Sequence, residues 1–64
     1  MDDLLKIIKW KDELFQIEYS ISKLEIAEEN FAHEENYEKA QLMLMEQKRL
    51  IKRKRYLETK IKNK

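Results

Sequence analysis

The chain contains no glycine and no proline, and that absence constrains its fold more than any residue it has. β-Turns, hairpin loops and phosphate-cradling loops lean on those residues. What remains suits helices: 42% of the residues are charged, mostly Glu and Lys, both good helix formers. This is the profile of long helices or a coiled coil. At 64 residues the chain makes one domain at most, near the size where a single core barely suffices. Chains this short usually need disulfides, a metal or a partner subunit. No cysteine is present, so firmness has to come from helix packing, self-association or both.

The apolar spacing places the first helix. Ile7, Trp10, Leu14, Ile17, Ile21 and Leu24 alternate steps of three and four, which is heptad spacing. Glu28 and Phe31 continue the register, so the seam acquires a charge. Leu4, Ile8 and Phe15 are expected beside the seam, widening the apolar face as a bundle of three or four helices requires. Ser22 followed by Glu25 fits a capping box that would start a new helix. The register passes through Ser20 and Ser22 without a slip, however, and one helix over about 2–33 is expected.

A tight turn is expected at 33–36. Asn36 suits the N-cap of a following helix, and Asn also tolerates the left-handed backbone that ends helices without glycine. Glu38 would sit in the first turn of helix two, where a negative charge suits the helix dipole. That helix is expected over about 37–62, with Tyr37, Ala40, Met43, Leu44, Leu50, Ile51, Leu57 and Ile61 on its inner face. Gln47 and Lys54 interrupt this thinner stripe. The expected fold is therefore all-α: two long antiparallel helices in a coiled-coil-like hairpin.

Near-neutral charge hides a strong polarity. Residues 1–22 carry a net −2, residues 23–38 a net −5 and residues 39–64 a net +8. The acidic elbow comprises Glu28, Glu29, Glu34, Glu35 and Glu38. The basic leg comprises Lys48, Arg49, Lys52, Arg53, Lys54 and Arg55. Asp2–Lys6, Glu35–Lys39 and Glu58–Lys62 are correctly oriented i,i+4 pairs, whereas Lys48–Lys52 and Arg49–Arg53 are like-charged at that spacing. Folding about residues 34–35 brings the leg beside roughly 13–21, where Asp12, Glu13 and Glu18 are too few to neutralise it.

Chemistry finds little support. His33 is the single imidazole, set at the turn among carboxylates, and one His builds no metal site, so no cofactor is expected. Ser20 and Ser22 have no base at helical spacing, and a hairpin offers no sizeable concave pocket. The expectation is a protein that is not an enzyme. A basic helix with interleaved Tyr56 suits phosphates, but the isoelectric point near 7.9 and the acidic elbow weigh against nucleic acid. Residues 48–62 resemble a basic amphipathic membrane-surface helix, yet Leu50, Ile51 and Leu57 are needed to cover helix one. No apolar run nears the roughly 18 residues that span a bilayer. Asp2 and Asp3 have the wrong charge for a signal peptide, and a cytoplasmic location is expected.

Leu24 to Leu50 resembles the UVR motif, through Asn36-Tyr37-Glu38-Lys39-Ala40 and through Leu24, Glu25, Ala32, Glu46 and Leu50 in register. In that family the motif is a short antiparallel helical hairpin whose second helix starts with Phe/Tyr-Glu-x-Ala. It closes the excision-repair B subunit and occurs in Clp-type ATPases and their adaptors, where it serves protein–protein docking. Here Met43-Leu44-Met45 replaces the family's Leu-Arg-Asp run, and Gln47 occupies an apolar position. The resemblance implies a hairpin and a docking role without identifying a target.

These features lead to an expected small adaptor or regulator that binds another protein and self-associates. Two hairpins would pair through the heptad face into a four-helix bundle, bringing the acidic elbow of each toward the basic leg of its twin. Its interaction seam would comprise Ile7, Trp10, Leu14, Ile17, Ile21, Leu24 and Phe31 with Met43, Leu44, Leu50, Ile51, Leu57 and Ile61. Alternatively, a helical dimer would bind nucleic acid through its basic second helices.

Overall fold

In the computed structural model, which describes residues 2–62 and the side chains of residues 3–62, an uninterrupted 32-residue helix, α1, runs Asp2–His33. It passes through Ser20 and Ser22 without a break. Ile21 and Leu24 on either side of Ser22 are half-buried, and that continuous burial outweighs the local capping signal. A second helix, α2, spans Tyr37–Lys62. At about 1.5 Å per residue α1 is about 48 Å long, close to the 51 Å long axis of the molecule, which is only 14 × 12 Å across. The result is an antiparallel helical hairpin. The side chain of Asp2, and with it the Asp2–Lys6 pair, lies outside the described residues.

The turn is closed by backbone geometry. The Asn36 N–H donates to the Phe31 carbonyl at 2.8 Å and the Glu35 N–H to the Ala32 carbonyl at 3.0 Å. These two bonds define a Schellman motif, whose penultimate residue takes the left-handed conformation. That residue is Glu35, with φ 60°, and not Asn36. The reason is positional: Asn36 already serves as N-cap of α2. Its side-chain oxygen accepts from the Lys39 N–H at 3.4 Å, and its backbone carbonyl accepts from the Ala40 N–H at 3.1 Å. Glu35 therefore stands in the turn and off both helices, so the expected Glu35–Lys39 pair does not close. Nor does Glu58–Lys62; Lys39 lies instead over the Phe31 ring at 5.6 Å.

A glutamate in the left-handed region is strained, by roughly 1–2 kcal/mol for an L-residue. Gly at this position relieves the strain but loosens the unfolded chain. Glu35→Gly is expected to raise stability by about 0.5–1 kcal/mol. At roughly 4–8 °C per kcal/mol thermal denaturation will detect the gain, and an unchanged or lower melting temperature would refute the cap assignment.

Every residue of the expected seam is half-buried or buried. Ile17 is 6% exposed and Leu57 fully buried. In a chain of two helices such shielding comes from the other helix, so these side chains face one another along the hairpin. Much of their apolar area is therefore covered within the chain. Tyr37, expected on the inner face of α2, points outward and is exposed, while Ala40 is buried. No described helix is long and apolar enough to cross a membrane.

Candidate functional site

The polar residues that interrupt the two apolar stripes meet each other. Gln47 is a buried side chain whose amide donates to the Glu28 carboxylate at 2.7 Å. Nineteen residues apart in sequence, they sit on facing seam positions. Glu28 is half-buried and thus leaves the outward acidic elbow, which retains Glu29, Glu34, Glu35 and Glu38, all exposed. A buried hydrogen bond of this kind fixes which residues stand opposite each other, because a slip of either helix strands the amide in an apolar seam. Gln47→Ala is expected to cost about 1–3 kcal/mol, whereas Leu at both 28 and 47 should be near neutral or stabilising. Urea denaturation of the two variants checks this, and equal losses for both would contradict it.

The basic leg divides in two. Arg53 forks onto Glu13, with Nε donating at 2.7 Å and Nη2 at 3.2 Å. Lys54, half-buried at an inner position, reaches Glu18 at 3.6 Å. Arg49 donates to Glu46 one turn back along α2. The hydrogen bonds from Arg53 hold the Glu13 carboxyl below its ordinary range, and those from Arg49 do the same for Glu46. These contacts satisfy three cations of the leg. Lys48, Lys52 and Arg55 remain exposed on the outer face of α2 with no ion pair among the described residues. Tyr56 stands beside them, half exposed, under Arg53 at 5.1 Å.

The outer face of α1 has the opposite character. Leu5, Ile8, Phe15, Tyr19 and Ile26 are all between 54% and 65% exposed. At 3.6 residues per turn they cluster roughly 160° from the seam. Ile8 and Phe15 therefore do not widen the inner face; with Leu5, Tyr19 and Ile26 they form a separate stripe across the helix. The signal was present in the sequence. Positions 5, 8, 12, 15, 19, 22 and 26 alternate steps of three and four, a second heptad register offset from the first. Leu4, also exposed, lies between the two stripes.

Two surface hollows flank the turn, one lined by Tyr37, Glu38, Gln41 and Leu42 and the other by Glu29, Ala32, His33 and Tyr37. Both are open to solvent. His33 is exposed there. No three His, Asp or Glu side chains converge as a metal site among the described residues. Comparison with protein-family models, curated proteins and solved structures gave no match, so the likeness to the UVR motif rests on the residues quoted for it.

Proposed function

We propose that this chain is a small non-enzymatic protein–protein interaction module, an adaptor or regulator of the cytoplasm that acts by pairing helices with itself and with another protein. One observation carries the reading: α1 bears a second heptad-spaced stripe, apolar at five of its seven positions, that its own hairpin does not cover. A helix that needed only to fold would be polar on that face. Contiguous exposed apolar surface rimmed by charge marks an interaction site, and a heptad-spaced one selects another helix. The resemblance to the UVR motif agrees in kind, since that motif docks proteins.

A second reading draws on α2, where exposed Lys48, Lys52 and Arg55 beside Tyr56 suit a phosphate backbone. The two readings separate in one experiment, fluorescence anisotropy of a labelled single-stranded RNA alongside light scattering of the protein. Self-association without RNA uptake at low salt supports the interaction module. A chain that stays single and takes up RNA, losing it steeply as salt rises, would replace that reading with the second.

A further inference from the structure

The outer stripe of α1 specifies what covers it. Its seven positions are Leu5, Ile8, Asp12, Phe15, Tyr19, Ser22 and Ile26, so two polar residues interrupt it. Resting on the helix-pairing reading, we propose that this face pairs with the same face of a second copy, α1 antiparallel to α1, about a two-fold axis at the level of Ile17.

The polar positions select the direction. In a parallel pair, equivalent residues meet, which sets Asp12 against Asp12 inside the contact and costs like-charge repulsion. In the antiparallel pair, Ile8 meets Ile26, Phe15 meets Tyr19, and Asp12 meets Ser22 of the second copy. In these layers apolar residues face apolar ones and the Ser22 hydroxyl donates to the Asp12 carboxylate; Leu5, at the rim of the contact, lies beside Glu29. The two-fold axis repeats each match. Phe15 against Tyr19 places aromatic rings in the two layers nearest the axis, where burial is deepest.

The two ends of the contact also carry opposite net charge in this direction. Residues 4–11 hold Lys6, Lys9 and Lys11 and no acid, while residues 23–30 include the exposed acids Glu25 and Glu29. Antiparallel pairing lays the first segment of one copy along the second segment of the other, at both ends of the contact. Lys11 and Glu25 then flank the apolar layers as an opposite-charge pair. Two flank matches are poor: Lys9 approaches Lys23, whose ammonium already lies over its own Tyr19 ring at 4.8 Å, and Glu18, held by its own Lys54 at 3.6 Å, approaches Glu18 of the second copy.

This arrangement differs from a square four-helix bundle. Because the outer stripe lies across α1 from the seam, the order is α2–α1–α1–α2, a flat layer with both α2 helices outermost. Of the outward acids of the elbow, Glu29 comes level with the Lys6 end of the other copy, and none meets the basic leg. Residues 48–55 begin a dozen residues beyond the turn, about 18 Å along the helix. Lys48, Lys52 and Arg55 of both copies face outward on opposite sides, two equivalent basic surfaces for acidic proteins.

The native chain lacks cysteine, so introduced cysteines report without background. Asp12→Cys and Ser22→Cys alter only exposed polar positions. Each variant is oxidised mildly alone and as an equimolar mixture, with covalent products read by mass and solution mass by sedimentation. The mixture should yield the mixed disulfide at least about ten-fold faster than either variant alone, because only residues 12 and 22 reach disulfide distance. Ser22→Cys cross-linking with itself as fast as the mixture would overturn the antiparallel direction. A dimer mass without cross-links in any sample would overturn this register while leaving self-association standing. A single-chain mass for the native protein would overturn both.

Discussion

Leu57→Ala will cost the hairpin about 2–5 kcal/mol, the range for emptying a fully buried leucine site. Among the described residues, Leu57 is the one side chain with no exposure at all. The register set by Arg53 on Glu13 and Lys54 on Glu18 places it at the level of Trp10 and Leu14. A domain of 64 residues has about 3–10 kcal/mol of stability in total, at 0.05–0.15 kcal/mol per residue. The loss is therefore comparable to the whole. At roughly 4–8 °C per kcal/mol the melting temperature should fall by 10 °C or more. Circular dichroism at one fixed protein concentration measures it, since the proposed self-association would make the midpoint concentration-dependent. A shift of only a degree or two would mean that Leu57 is not the centre of the core.

Phe15→Asp should do the reverse, leaving the hairpin folded and separating the copies. Phe15 is 65% exposed, so an aspartate there disturbs no intramolecular packing. In the proposed dimer it lands between aromatic rings near the two-fold axis, and the axis doubles the damage. A central aromatic position is worth about 2 kcal/mol or more to binding, and 1.4 kcal/mol is ten-fold. The dissociation constant should therefore rise by well over ten-fold, with the helical signal of the wild type retained. The informative contrast is Ile17→Asp, two residues along the same helix. Ile17 is buried in the seam, and a lone carboxylate there unfolds the hairpin. Two substitutions of identical chemistry thus separate folding from association. A Phe15→Asp protein that dimerises like wild type would remove the outer stripe from the account.

Much of this fold was legible in the residues. The absence of glycine and proline pointed to helices, and the heptad register carried α1 through a plausible break at Ser22. Asn36 marked the start of α2. What the sequence obscured is instructive. Ile8 and Phe15 stand next to seam residues in the chain but across from them on the helix, so a widened face and a second face look alike until the angles are followed along all of α1. Tyr19 and Ile26, which complete the second register, distinguish the two. Glu28 and Gln47 each appeared as flaws in separate stripes. Only the register of the folded hairpin shows that they answer one another. The left-handed turn residue falls on Glu35, against intrinsic preference, because Asn36 is committed to the cap. The six cations of the leg looked uniform, yet Arg53 and Lys54 pair across the hairpin, while Lys48, Lys52 and Arg55 are exposed.

In this proposal the inner and outer stripes divide the work of α1: one makes the hairpin and the other would join hairpins. Sedimentation equilibrium of the native chain from low to high salt tests that division most directly. At low salt the protein should sediment with twice the mass of the 7.9 kDa chain. The dimer should weaken as salt screens the complementary lysine and glutamate ends, without loss of helix. A fully helical protein that sediments as a single chain at every salt concentration would contradict it.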